Sequence, residues 1–559
     1  MNRLPIIAAS VAALALASCA ATQSYSAPSA QERSEADSYG NYLAGRFAAS
    51  QHDMTDAAKF YQAGLHDDPN NGDLLERAFL YTASAGDIDK ASEYAMQVTA
   101  SQKDSRAARL VLAVQDISRK KYADARAQVA QSAGGPFTSL TISLLDAWAA
   151  VGAGDTAAAL KDLSDLKSQG GTDALASFHR ALIFDLLGRD ADAEVAYKEA
   201  MQDSGAGPRI IEAYGRFLER AGRADEAKAI YAKLNTGGAP HPVAVEADAR
   251  IASGKKPEKL VSTPAEGAAE ALFGISASLT DATSADVAIL YLRLSLHLRP
   301  DLDLAKILLA DRFEVLEKYQ DAIEAYQDID KDSPYYDVAV IQVAVDENRL
   351  DQTDKSIALL KEFTASHPDS IEGWTALGDA YRGSEKFAEA ADAYDHAVKQ
   401  IGSIDKSDWP LFYARGISEE RAHRWDAAEQ DLKQALKLKP DEPQVLNYLG
   451  YSWIDQGRNT SEALAMLEKA RALKPLDGYI VDSVGWAYYR TGRYQDSVKA
   501  LEDAVLLVPG DPTINDHLGD AYWKVGRRLD AQFQWNHALA FNPAPDDKAK
   551  IEQKLKNGV

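Results

Sequence analysis

The strongest constraint on this chain is a spacing. Compared with itself, the sequence repeats with a period of 34 residues, most clearly toward its C-terminus. From Gly478 the pattern runs Val481, Val484, Gly485, Tyr488, Gly492, Ser497, Leu501, Ala504 and Pro509. From Pro512 the same places hold Leu518, Gly519, Tyr522, Gly526, Ala531, Trp535, Ala538 and Pro543. Units opening at Ile371, Trp409 and Pro443 continue it, the last with one extra residue in its turn, so that five consecutive units share one register. A unit this short cannot bury its own apolar face, whereas a stack of them shares one continuous core.

Each unit reads as a helical hairpin. Small residues such as Gly485 and Ala504 let two helices approach, aromatics such as Tyr488 and Trp535 fill the space beside them, and the proline ends the second helix. The unit from Ile371, with Trp374, Leu377, Gly378, Tyr381, Ala390, Tyr394 and Ala397, resembles the tetratricopeptide repeat place for place up to its closing proline. The N-terminal half follows the rule more loosely: Ser38, Gly45, Ala57, Tyr61, Gly64 and Pro69 mark one unit, Ala181, Gly188, Ala193, Tyr197 and Ala200 another, and Gly215, Gly222, Ala227, Tyr231 and Leu234 a third. Residues 72–172 keep the helical period and paired alanines but lose the signature aromatics. The fold expected is an all-α, helical-hairpin solenoid forming a right-handed superhelix of roughly 12–14 repeats.

The chain divides accordingly. Residues 37–241 read as an N-terminal array, 242–266 as a seam with a short helical piece, 267–545 as a C-terminal array, and 546–559 as a polar helix suited to capping a solenoid. Trp374, Trp453 and Trp535 fall at core places.

The single cysteine excludes an intramolecular disulfide and a cysteine-based zinc site. Its position is informative. Arg3, an apolar run from Leu4 to Leu16, and the small residues Ala17 and Ser18 have the layout of a secretory signal over residues 1–18, and the run is shorter than the ~20 residues that span a bilayer. Leu16-Ala17-Ser18-Cys19 resembles a bacterial lipobox, which implies cleavage before Cys19 and acylation of its sulfur. Ala20, in place of the aspartate that tends to retain such proteins in the inner membrane, implies the periplasmic face of the outer membrane. Residues 19–36 read as a flexible tether with a reach of roughly 20–25 Å.

A formal net charge of −23 argues against nucleic acid and against adhesion to anionic lipid through basic patches. No zinc-peptidase, nucleophile-elbow, phosphate-loop or dinucleotide motif occurs, and the ten scattered histidines read as surface or packing residues. No enzyme, cofactor or metal is expected. What the tetratricopeptide resemblance implies instead is a concave groove lined by the first helix of each hairpin. Transferring the family's groove places gives Tyr413; Asn447, Tyr451 and Asp455; Tyr479, Asp482, Trp486, Tyr489 and Arg490; and Asp516, Asp520, Trp523 and Lys524. Asn447, Asp482 and Asp516 recur at one level, a ladder suited to the amides of an extended peptide. Trp486→Ala with Trp523→Ala is expected to weaken partner binding while leaving the melting transition within a few degrees.

The runs Asn447–Trp453, Asp477–Tyr488 and Asn515–Trp523 resemble proteobacterial outer-membrane tetratricopeptide lipoproteins, among them the adaptor of the periplasmic carboxyl-terminal processing protease. The resemblance implies a scaffold bringing such a protease to a peptidoglycan hydrolase. The other reading is an assembly or secretion factor for an outer-membrane pore, secretin or polysaccharide exporter.

Overall fold

The computed structural model describes residues 30–132, 136–167, 173–202, 207–235 and 241–559. Cys19, the signal segment and the first part of the tether lie outside these residues. The described chain contains thirty α-helices and no strand.

They pair in order along the chain. The first hairpins are α1 (Ala30–Ser50) with α2 (Met54–Asp67), α3 (Gly72–Ala85) with α4 (Ile88–Ser101), and α5 (Arg106–Ser118) with α6 (Tyr122–Ala130). Next come α7 (Pro136–Gly152) with α8 (Thr156–Lys167), α9 (Asp173–Leu186) with α10 (Asp190–Ala200), and α11 (Pro208–Arg220) with α12 (Ala224–Tyr231). A single helix α13 (Pro242–Ala252) precedes the hairpin of α14 (Pro264–Ala277) and α15 (Ala285–Leu298). The C-terminal half holds α16 (Asp303–Val315) with α17 (Tyr319–Gln327), α18 (Tyr336–Arg349) with α19 (Thr353–Ser366), and α20 (Ile371–Gly383) with α21 (Phe387–Gln400). It continues through α22 (Trp409–Arg421) with α23 (Trp425–Leu438), α24 (Pro443–Asp455) with α25 (Thr460–Leu473), and α26 (Gly478–Arg490) with α27 (Tyr494–Leu507). The last pair, α28 (Pro512–Lys524) with α29 (Arg528–Ala540), is followed by the lone α30 (Pro545–Asn557). Leaving out α13 and α30, the thirty helices make fourteen hairpins.

Local chemistry sets these boundaries. Asp477 and Asp511, one period apart, each accept two backbone N–H bonds at the start of α26 and α28, supplying partners to otherwise orphaned amides. Gly526 turns the chain between α28 and α29 at φ 85°, a conformation that costs other residues ~1–2 kcal/mol. Inside that hairpin a Cβ on Gly519 would stand 2.4 Å from Nε1 of Trp535, so glycine there is what admits the indole. In residues 72–172, where the aromatics fade, fully buried alanines such as Ala83, Ala91, Ala108 and Ala147 take over the close packing of α3 to α8. Trp453 and Trp535 are fully buried as their places require, but Trp374 is only half-buried, stacked on His396 with its indole N–H donating to the Pro368 carbonyl. α1 begins at Ala30, so helix reaches back into the segment read as tether.

The boundary expected near residue 266 is not a boundary between cores. One apolar core runs from Phe79 to Leu294 and takes in Ala268, Ala271, Leu272 and Ile275 of α14 with Leu290 and Leu294 of α15. This hairpin crosses back into the hollow of the N-terminal array, against the first helices of its hairpins. A Cβ on Gly267 would lie 2.3 Å from the Trp148 ring of α7. Glu270 is bound by Arg209 of α11, the Tyr291 hydroxyl meets Thr141 of α7 at 3.1 Å, and His297 meets Gln115 of α5 at 2.8 Å. The loop before it is also held: the Lys259 ammonium donates to the Asp185 carbonyl at 2.6 Å. The opposite side of α15, at Ile289 and Leu292, starts the next core with α16, α17 and α18. α15 is therefore shared by both halves, and the repeat period alone could not reveal this, because a hairpin has the same local pattern whether it stacks onward or folds back.

Candidate functional site

With α14 and α15 occupying most of the N-terminal hollow, the groove residues assigned from the repeat lie on the first helices of the C-terminal half. There a cavity of about 300 Å³ is built by α22, α24 and α26. Five of the residues assigned by the repeat converge on it: Asn447, Tyr451, Asp455, Tyr479 and Asp482. They sit one helical turn apart along two neighbouring first helices, so their side chains project to the same side.

The chemistry of this cavity is mixed. Tyr479 is 58% exposed at its edge, whereas the Asn447 side-chain oxygen is buried and has no hydrogen-bond partner among the described residues. Burial, with Asp482 and Asp455 adding to it, pushes the Tyr451 hydroxyl up to about 12, so it remains a donor at physiological pH. Glu420, Tyr448, Ser452, Gln456 and Ser483 also line the cavity and were not assigned from the sequence. The Tyr448 hydroxyl donates to Glu420 across two repeats at 2.9 Å. That approach depends on how far one hairpin turns relative to the next, which leaves no mark in a single repeat.

The other assigned residues are engaged elsewhere. Tyr413 packs edge-on against Tyr448 at 6.1 Å and lies outside the cavity lining. Arg490 pairs with Asp455 at 3.0 Å and its guanidinium stands 6.0 Å from the Trp486 ring centroid. Trp486 is stacked between Tyr489 at 4.8 Å and His517 at 4.0 Å. His517 is buried and meets Asp482 at 3.0 Å. Its own burial would lower its pKa, but the charge and hydrogen bond of Asp482, with Asp516 and Asp520 nearby, raise it above the ordinary histidine value.

At the far end, α30 covers the wall. The Lys554 ammonium donates to Asp516 at 2.7 Å and to Asp520 at 2.8 Å, and a Cβ on Gly558 would run into the Trp523 ring. Trp523 also lies 5.4 Å from Trp535 and under the Arg528 guanidinium, while Lys524 is exposed. Of the three-level ladder, Asp482 is thus taken by His517 and one Asp516 oxygen by Lys554, while among the described residues the Asn447 oxygen and the second Asp516 oxygen are buried without a hydrogen-bond partner. Both indoles pack against neighbouring rings, so the double substitution at Trp486 and Trp523 removes packing and is expected to lower the melting transition by more than the few degrees expected from the sequence.

Comparison with known proteins places this wall in a described family. The tetratricopeptide repeat family matches residues 346–403, 413–478 and 485–547. A TPR repeat-containing protein of Pseudomonas aeruginosa is 28% identical over 151 residues, which is 27% of this chain and 25% of that relative. The cytochrome c-type biogenesis protein CycH of Rhizobium meliloti is 28% identical over 128 residues, 23% of this chain and 33% of CycH. The chain thus spans a quarter to a third of these relatives' lengths. Among solved structures, the APC/C hetero-tetramer Cut9-Hcn1 aligns over 96% of this chain and 98% of that chain, with 15% identity and a TM-score of 0.39. A tetratricopeptide repeat protein from Parabacteroides merdae aligns over 45% of this chain and 96% of its own, with 13% identity and a TM-score of 0.37. Repeats of this kind form protein-interaction scaffolds; the matched residues of this chain are tetratricopeptide repeats, and they lie within the fourteen helical hairpins of the described residues.

Proposed function

We propose that the protein is a non-catalytic adaptor, fixed through a lipid on Cys19 to the periplasmic face of the outer membrane, that brings a periplasmic protease together with a cell-wall enzyme as its substrate. The observation that carries the binding role is the cavity of α22, α24 and α26, where an exposed Tyr479 stands beside a buried, unpartnered Asn447 oxygen. A buried acceptor without a partner is costly, and an arriving amide donor relieves that cost. Exposed aromatics beside polar groups are the usual anchors of protein interfaces. Anchoring adaptor and partners to one surface raises their effective concentration without any new contact.

The test is crosslinked capture from envelope extracts with the natural chain and with Asn447→Ala/Tyr479→Ala. The reading expects a protease and a peptidoglycan hydrolase to be captured, and the variant to bind the directly contacted partner about 30-fold more weakly, as loss of a ~2 kcal/mol anchor requires. Equal capture by both chains would remove the cavity from the interface. Cys19→Ser should release the protein from the membrane fraction; retention there would refute the anchor.

The likeness to a protein named for cytochrome c biogenesis favours an assembly factor for an outer-membrane pore, secretin or polysaccharide exporter as the second reading. Loss of an assembled envelope complex in a deletion strain, with hydrolase levels unchanged, would decide for it.

A further inference from the structure

The fold-back hairpin does not fill the N-terminal hollow completely. Between α15 and the wall of α3, α5 and α7 remains a cavity of about 250 Å³. Its sides are Leu80, Leu110, Ile142, Leu145, Val287 and Leu290. Of the three hydroxyls on its lining, those of Thr141 and Tyr291 bond to each other, and Ser132 is the third; the rest of the wall apart from Arg106 is apolar. Apolar cavities take up apolar ligands: ~150 Å³ suffices for the six carbons of benzene, which scales to roughly ten carbons here.

One lining residue is of a different kind. Arg106, the first residue of α5, is exposed, and no hydrogen bond or ion pair engages its guanidinium among the described residues. Beside it Ser105, the residue before α5, makes no side-chain bond to the first amides of that helix. An anion is favoured there by both the charge and the helix end. Leu80 and Val287 are 38% and 48% exposed, which keeps the cavity accessible from solvent.

We propose that this cavity binds a single straight acyl chain of about ten carbons with an anionic head group, its tail among the leucines and its head on Arg106. Because α15 supplies one wall, the bound chain bridges the fold-back hairpin and the N-terminal array. The inference is independent of the adaptor reading.

The test uses the full chain carrying Cys19→Ser, so that no attached lipid competes, titrated with a fluorescent undecanoic acid. The expected result is one saturable site per chain. Ala107→Trp, which fills the cavity from α5, should lower the affinity at least tenfold; if that variant does not fold, Val287→Trp fills it from the opposite wall. Arg106→Gln should weaken binding about fivefold for the carboxylate and leave decanol, measured by displacement, unchanged. Decanoate and decanoyl lysophosphatidylglycerol as competitors distinguish a free fatty acid from a phospholipid-derived chain. Absence of saturable binding, or full affinity in a folded tryptophan variant, would overturn the site. An equal effect of Arg106→Gln on decanoate and decanol would overturn its head-group end.

Discussion

Glu270→Ala tests whether the fold-back hairpin is locked or merely resting in the hollow. The Glu270 side chain is fully buried and is shared by Arg209, whose Nε lies 3.0 Å away, and Arg299 at 3.2 Å. Both arginines are themselves largely buried, at 15% and 17% side-chain exposure. Removing one member of a buried ion pair costs ~3–5 kcal/mol, because the remaining charge is left without a counter-charge. Arg209 retains Glu212 at 2.6 Å and Arg299 has Asp301 within 3.5 Å, so the lower end, about 3 kcal/mol, is expected. Stability in a solenoid is nearly a sum over neighbouring repeats, so the loss should stay local. Hydrogen exchange should show α14, α15 and the helices beneath them opening faster, while α20 to α29 keep their protection. Replacing the pair together, Glu270→Met with Arg209→Met, should recover part of the loss, since two apolar side chains can occupy such a site without a buried charge. A loss below about 1 kcal/mol, or equal deprotection along the whole chain, would refute the lock.

Further predictions concern the C-terminal wall. Because His517 has a folded pKa above its unfolded value, its pairing with Asp482 stabilises the fold fully below about pH 6.5 and is lost as pH rises through the folded value. Melting at pH 5.5 and pH 8.5 should therefore fall more for the natural chain than for His517→Phe; parallel profiles would show that the imidazole is not protonated. Trp523→Ala should cost about 2 kcal/mol and loosen α30, seen as faster exchange at Leu555 and its neighbours, whereas unchanged exchange would mean that α30 is held by Lys554 alone. Gly526→Ala should cost about 1 kcal/mol in urea unfolding because the turn requires positive φ; a neutral result would show that the turn relaxes.

How much of this was legible follows from the range of each interaction. Helix limits, turns and the glycine and aromatic pairs of each hairpin depend on residues within one period, and Asp477, Asp511, Gly519 and Trp535 can be read directly. Placement of groove residues on the first helices was legible too, which is why five of them meet in one cavity. Which of them stay open was not: Lys554 reaches back 38 residues to Asp516, and His517 reaches back 35 to Asp482.

The sequence by itself determined a helical-hairpin solenoid and its repeat register, because period and close packing act within and between adjacent units; the first helices as the groove wall came from the tetratricopeptide resemblance. Only the tertiary structure decided that α14 and α15 turn back to fill the N-terminal hollow and that α30 closes the other end. α15 does carry a trace of this, since buried residues such as Ile289, Leu290, Leu292 and Leu294 lie on more than one side of it, and each such apolar side has to be covered. What covers it is a contact between distant parts of the chain, with Glu270 on Arg209 across 61 residues, and no 34-residue pattern encodes that distance.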